Sequence, residues 1–445
     1  MTSPTITGPK IISGLPGPNV SKILVDAGLD PTSYSAPIVE DGRGIYVRDP
    51  DGNVFVDLIS GRAIVNTGYS HPRVVAAVQE QARRAVHSLT KDSYSLVKRL
   101  EGMLDSGRKQ VYWSQSGSMA TEHAIKAVRR ATGRPMILGF TGSYHGTSMG
   151  ALSVSGYDPS MKRHYSPLLP GVVHVPYGCC YRCPMKQEYP GCDLACLAYI
   201  EEVAFASYVP SDEVAAVFVE PVQGDAGWHV PPQGWHQGLK RLCERHGILL
   251  VADEVQTGFG RAGRWLGMDN WGVKPDVVTL AKAMGSGVPI GACVLGKDLV
   301  PQTGSEPIPI DAQSFAPTPL GVAAAHATMD VIRDERLCEN AVRVGDHTRA
   351  RLREMMDDHP LIGEVRGIGM ITGVEIVKDR RRKTPDPEAA RAICAEMFRR
   401  GVYTVAMGAY GGKAIRVEPP LVMTEAEADT AIEIIEESMM RVEKL

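Results

Sequence analysis

Ile248-Leu249-Leu250-Val251-Ala252-Asp253 and, further along the chain, Val277-Val278-Thr279-Leu280-Ala281-Lys282 are short apolar runs that each lead into a charged residue. Runs of this length, bounded by polar residues, read as strands buried on both faces. Met136-Ile137-Leu138-Gly139-Phe140 and Ala215-Ala216-Val217-Phe218-Val219 are of the same kind. Trp235 to Arg245 carries a helical pattern between two of them. Strands alternating with amphipathic segments from about 110 to 300 predict an α/β lobe with a mostly parallel sheet.

Outward from that lobe the pattern changes. Residues 1 to about 70 read as an irregular arm with short strands. Gly44 to Asp49 and Val54 to Asp57 flank the turn signal Asp51-Gly52-Asn53 and predict a hairpin. His71-Pro72 opens a helical pattern with Val74, Val75, Val78, Ala82 and Ala85 near one face. After Pro319, helical patterns at 320–333 and 341–356, a strand region at 369–377, a helix near 389–399, Ile415-Arg416-Val417 and a last helix from Glu425 predict a smaller α+β domain. The expected division is 1–70 as arm and part of the small domain, 71–325 as the large domain, and 326–445 as the small domain.

Bulk properties narrow the class. The 445 residues are 44% hydrophobic and 22% charged, the balance of a soluble globular protein. A formal charge of -3 gives no reason to expect nucleic acid or an anionic membrane as partner. No apolar run is long enough to span a bilayer, and Met1-Thr2-Ser3-Pro4 lacks the start of a secretory signal. The nine cysteines show no secreted framework, so a reducing cytoplasm is the expected location.

Polar residues just beyond strand ends carry the functional reading, because ligands of α/β sheets gather at the carboxyl edge. A buried carboxylate or amine without a partner is costly. Pyridoxal phosphate (PLP) would supply partners for both: an aldehyde that forms an imine with Lys282, and a protonated ring nitrogen for Asp253. Taken singly, each residue reads more simply as a strand-end polar group meeting water.

Their flanks decide between these readings. Asp253-Glu254-Val255-Gln256-Thr257-Gly258-Phe259-Gly260-Arg261 and Thr279-Leu280-Ala281-Lys282-Ala283-Met284-Gly285 resemble the two signature segments of the class III aminotransferases. Ser116-Gly117-Ser118, Tyr144-His145-Gly146, Glu220-Pro221-Val222-Gln223-Gly224 and Ile415-Arg416-Val417-Glu418-Pro419-Pro420-Leu421 resemble further family segments, in the family's order. The resemblance runs from about residue 40 to the end. It implies PLP fold type I: a large domain with a mostly parallel seven-stranded sheet flanked by helices, and a smaller α+β domain.

It also implies roles. Lys282 carries PLP as a Schiff base and shuttles the proton of a ping-pong transamination, with Asp253 on the pyridine nitrogen. Ser116, Gly117 and Ser118 lie at the phosphate, at the start of a helix. Tyr144, with His145 beside it, covers one ring face and Val255 the other. Gln256 bonds the phenolic oxygen, and Glu220 supports the site from behind. Ser314, in Ser314-Phe315-Ala316-Pro317, aligns with a threonine that reaches the neighbouring subunit's phosphate, which implies a homodimer with shared sites. The implied substrates are an amine or amino acid donor and a 2-oxo acid.

Substrate choice is marked by departures. Arg416 matches the family's arginine for the α-carboxylate. Asp225 stands where relatives handling ω-amines carry glutamate, and it reads equally as a substitute or as a loop carboxylate. Thr147 replaces a second arginine usual in 4-aminobutyrate enzymes. Arg62, at the expected mouth of the site, reads either as a replacement cation or as a solvated side chain. Racemases or epimerases of the same fold therefore stay open beside aminotransferases.

Residues 177–197 form a cysteine-rich insertion. Cys180, Cys183, Cys192 and Cys196 have spacings open to a zinc or iron–sulfur site, to disulfides, or to free thiols in a loop. A catalytically silent scaffold using this loop as its binding element is the reading from a different class. The presence of Lys282, Asp253, Tyr144 and Arg416 together speaks against it.

Overall fold

The computed structural model describes residues 6–103, 109–300, 302–303, 306–307, 310 and 313–444. Met1 to Pro4, read above for a secretory signal, lie outside the described residues.

The apolar runs pair as seven strands in the spatial order Lys109–Ser114, Gly291–Gly296, Val277–Leu280, Leu249–Asp253, Val214–Val219, Met136–Phe140 and Val172–Val175. Gly291–Gly296 runs antiparallel to both neighbours, and the remaining pairs are parallel. Each face is covered, as such apolar strands require. Helix Gly117–Thr132 sets Ala124, Val128 and Ile125 against one face. Helix Trp235–His246 sets Trp235, Leu239 and Leu242 against the other. The expected parallel α/β sheet is therefore observed.

The C-terminal part is built on antiparallel strands Ile362–Ile368, Ile371–Asp379 and Ala414–Val417, with Ala406–Met407 at one edge. Helices Leu337–Glu354, Pro387–Arg399 and Glu425–Glu443 enclose it and share one large apolar core. The strand region expected from Gly369 starts at Ile371 instead. Gly369 (φ +55°) forms the preceding turn, where it lies against Ala262 and Gly263.

The first 70 residues are less irregular than expected. They include a helix, Pro18–Asp26, and the expected hairpin, in which Tyr46–Arg48 pairs with Val54–Asp57. Val54–Asp57 also pairs in parallel with Val402–Tyr403, so the arm is stitched to the C-terminal region. A non-local pairing of this kind has no local sequence signature. The helix after His71 spans Pro72–Arg84, but Val75, Ala82 and Ala85 are exposed, and its buried positions are Val74 and Gln81. Alanine and valine at helical spacing describe a face without saying what covers it.

The cysteine-rich loop is docked by one buried thiol contact, Cys179 Sγ to His229 Nδ1 at 3.4 Å, and by charged and aromatic contacts. Arg182 pairs with Glu375 at 2.6 Å, and the Tyr181 ring lies within cation–π distance of Arg182, Arg366 and Lys383. Cys180, Cys183, Cys192 and Cys196 are free thiols around one small cavity, which corrects the disulfide alternative. Among the described residues no group of three or more His, Cys, Asp or Glu is arranged to hold a metal ion. Burial, with the neighbouring thiols, pushes the Cys180 thiol up to about 11, so it stays protonated at neutral pH.

Helix Leu337–Glu354 crosses the Gly369 turn at Gly345, where an added Cβ would overlap the Gly369 carbonyl. Both contacting atoms belong to backbone, so neither has a rotamer with which to escape. Gly345→Ala is expected to destabilise the protein by about 1–3 kcal/mol or more, read as a lowered midpoint in urea unfolding. An unchanged midpoint would refute this packing.

Candidate active site

Five parallel strands point their carboxyl ends at one cleft. After Lys109–Ser114 come Gly117 and Ser118; after Met136–Phe140 come Tyr144, His145 and Gly146; after Val214–Val219 come Glu220 and Val222. Leu249–Asp253 ends on Asp253, with Val255, Gln256 and Thr257 beyond it, and Val277–Leu280 leads to Lys282. The cleft encloses about 140 Å³ and opens to solvent.

Asp253 is the anchored acid of the cleft floor. Its Oδ1 accepts from Thr279 Oγ1 at 3.0 Å and from Val255 N at 3.1 Å, and its Oδ2 meets His145 Nδ1 at 2.6 Å. Sheet register sets Thr279 directly opposite Asp253. The His145 side chain is fully buried. Burial works against its imidazolium, but the Asp253 hydrogen bond and charge, aided by Glu220, outweigh it and raise the pKa. Among the described residues His145 Nε2 has no hydrogen-bond partner.

Glu220 ties two loops to the cleft. Its Oε1 accepts from Tyr144 N at 2.9 Å and its Oε2 from Gly224 N at 3.0 Å. Burial, reinforced by the Asp253 charge and opposed by His145, pushes its carboxyl up to about 7.

Lys282 takes a left-handed backbone conformation (φ +44°), a strained setting for a non-glycine residue. Burial lowers its ammonium pKa; Asp225 opposes that shift and Arg416 adds to it. A half-buried amine of this kind, in the wall of an open cleft, is poised to act as nucleophile and base. Lys282 Nζ donates to Gln256 Oε1 at 3.3 Å, while Gln256 Nε2 donates to Glu418 Oε2 at 3.0 Å. Gln256 thus turns its carbonyl oxygen to Lys282. An ionised Glu418 can only accept, so the amide NH2 must face it.

At the far end of the cleft, Gly117 opens a 16-residue helix whose first N–H groups lack intrahelical partners. Val255 stands against Gly117 so closely that a Cβ there would lie 2.8 Å from its Cγ1. Ser118 Oγ accepts from Thr147 N at 3.2 Å. Ser116 does not line the cleft: it is exposed, and its hydroxyl caps the helix by accepting from Met119 N at 3.3 Å.

The other expected residues lie around the cleft rather than in its wall. Asp225 is half-buried, and its charge acts on Lys282, Tyr144 and Tyr157. Arg62 is exposed on a turn, Ser60–Ala63, in which every residue has a positive φ; its charge reaches Tyr144 and Tyr403. Arg416 is buried, with Nη2 2.5 Å from Glu418 Oε2 and its guanidinium 5.5 Å from the Trp228 ring centroid. Ser314 is exposed and outside this cleft, its carbonyl accepting from His87 Nε2 at 2.8 Å. Thr279 and Glu418 were not expected as site residues. Both stand inside the quoted segments, but only strand register and the folded packing reveal their partners.

Glu220 generates a pH test on cofactor-free protein. Its folded pKa lies above the ordinary carboxyl value of 4.5, so its contribution favours the fold at low pH and is lost as pH rises through about 7. The span is on the order of 3 kcal/mol. Glu220→Gln should flatten the fall in Tm between pH 5 and pH 8 relative to the parent protein. Equal slopes would show that Glu220 is not held protonated.

A model of the class-III aminotransferase family matches residues 31–439. The chain is 38% identical to the alanine/serine racemase of Pyrococcus horikoshii, over 97% of this chain and 92% of that protein. It is 34% identical to the acetylornithine aminotransferase of Methanothermobacter thermautotrophicus, over 89% and 92% respectively. Among solved structures it is similar to a PLP-bound amine transaminase from an uncultivated Pseudomonas species. That match has a TM-score of 0.85 and 32% identity, covering 91% of this chain and 95% of the other.

Proposed function

The chain belongs to the class III aminotransferases, and on that premise we propose that its cleft binds PLP through Lys282 and Asp253 and moves the amino group of an α-amino acid. The family is PLP-dependent and transfers an amino group from an amine or amino acid to a 2-oxo acid. One observation carries the assignment of the site. A half-buried amine of lowered pKa and a buried, anchored carboxylate share a single cleft with an open helix N-terminus.

The residues fit the cofactor's three charged or reactive parts. Gly117 and Ser118 would hold the phosphate with the N–H groups and positive dipole end of the helix. Asp253, oriented by Thr279 and His145, would keep a proton on the pyridine nitrogen. Lys282 would bind the aldehyde carbon, with Tyr144 and Val255 as the walls. When bound, PLP supplies an electron sink for the charge left after the substrate Cα loses its proton. Lys282 Nζ is the base for that proton, and burial lowers its pKa toward that role. Arg416 is assigned the substrate α-carboxylate, with Asp225 and Arg62 modulating charge at the cleft's edge. Ser314 is assigned to the phosphate of a second copy in a homodimer. Exposed Val86, Leu89 and Phe315, near the His87–Ser314 contact, support a covered surface there. No described helix is long and apolar enough to cross a membrane; the cytoplasm is the proposed location.

Racemisation is the second reading, favoured by the higher identity to the alanine/serine racemase. The two chemistries part at one choice, whether Lys282 and its surroundings return the proton to Cα or deliver it to the cofactor.

Holoprotein should show a visible absorption band that disappears in Lys282→Ala, and borohydride should fix label at position 282. Colourless protein unable to take up PLP would sink the assignment. L-Alanine added without an oxo acid then separates the chemistries. Lasting loss of the band indicates amino transfer, and solvent deuterium at Cα without that loss indicates racemisation.

A further inference from the structure

Next to Gln256, a residue of the cleft wall, lies a buried charge cluster. The Glu418 carboxylate is fully buried and has four side chains around it. Oε2 lies 2.5 Å from Arg416 Nη2, and it accepts from Gln256 Nε2 at 3.0 Å and Trp228 Nε1 at 3.3 Å. Oε1 lies 3.6 Å from Arg261 Nε. Two guanidiniums therefore share one carboxylate. Arg261 has both terminal nitrogens engaged elsewhere, donating to Ser60 Oγ, Asn66 Oδ1, Met370 O and Pro419 O, and only its Nε faces Glu418. Burial, with the like charge of Arg416, lowers Arg261 to about 10, which still leaves it a cation at neutral pH. The nearby acid Asp57 is occupied by Tyr69 Oη, Ile59 N and Gly61 N. The cluster of Arg261, Arg416 and Glu418 thus keeps one formal positive charge.

Arg416 is the guanidinium with spare capacity. Among the described residues its Nε and Nη2 have no hydrogen-bond partner, Nη2 meeting Glu418 as an ion pair; its side chain is 4% exposed, and the Trp228 ring lies alongside it. The same carboxylate takes the Gln256 NH2 and so aims Gln256 Oε1 at Lys282 Nζ. Glu418 also holds the chain around it: its backbone N–H donates to Leu58 O at 2.7 Å and its carbonyl accepts from Ser60 Oγ, beside the turn that bears Arg62.

We propose that Glu418 is the positioning residue for substrate choice: it fixes the Arg416 guanidinium against Trp228 as a preset carboxylate receptor, in register with Lys282. A receptor held in place loses little freedom on binding, which favours substrates carrying an α-carboxylate over amines lacking one. The inference rests on Arg416 as the carboxylate partner, and its test separates the two.

Apparent Kd values for L-alanine and for propionate are read from the cofactor's visible spectrum in holoenzyme. Glu418→Gln keeps shape and removes the charge; it should weaken both ligands by about tenfold or more, as loss of a charge-assisted contact does. Cofactor content should remain at parent level, a readout that general damage to the site would move. Glu418→Asp, which restores the charge, should stay within about threefold of the parent. Arg416→Leu is the control. If Arg416→Leu weakens both ligands and Glu418→Gln does not, the positioning role is overturned while the carboxylate site stands. If Arg416→Leu changes neither, the carboxylate site itself is wrong and the proposal falls with it. Loss of cofactor in step with ligand affinity in Glu418→Gln would also overturn it. Should Glu418→Gln not fold, Trp228→Leu removes the ring beside the guanidinium and is expected to weaken both ligands; unchanged affinities there reject the proposal.

Discussion

The site depends on keeping charged groups dry without leaving them unpaired. Asp253 is the clearest case: it lies at the end of a central strand and survives burial because Thr279, His145 and the Val255 amide all point at it. Strand pairing places Thr279, and a loop held by Glu220 places His145. Displacing either neighbour leaves a carboxylate in an apolar wall, which costs several kcal/mol per ion. The geometry of the reactive cleft is therefore fixed by the satisfaction of its acids.

Glu418 and Arg261 extend the same constraint across the molecule. Arg261 comes from the segment after the central strand, yet its donors reach Ser60, Asn66, Met370 and Pro419. One fully buried guanidinium thus joins the N-terminal segment, the large sheet and the C-terminal sheet. Glu418, at the end of a C-terminal strand, connects to Lys282 through Gln256. Lys282 and Arg416 belong with strands of different sheets, and this carboxylate meets Arg416 directly and Lys282 through Gln256.

Not every conspicuous pattern takes part. The cysteine-rich loop is the most unusual feature of the composition, but cation–π contacts at Tyr181 and the Arg182–Glu375 pair dock it. Its thiols sit around a separate cavity on the side of Pro232 and Tyr177. Spacing shows which groups a loop can bring together; the docking contacts decide where the loop lies.

The sequence by itself determined the parallel α/β sheet, because strands buried on both faces must be apolar throughout and are interrupted by amphipathic helices. It also located Asp253, Lys282, Tyr144, Glu220 and the Gly117-Ser118 turn, since each follows a strand and their order is that of a known family. Tertiary structure alone decided which of these meet. It assigned Ser116 to a helix cap, paired Arg416 with Glu418, and turned Gln256 toward Lys282 by its oxygen. It also stitched Val54–Asp57 to Val402–Tyr403. The reason is physical: apolar period is a local property of the chain, whereas the partner of a buried polar group is chosen by segments hundreds of residues apart.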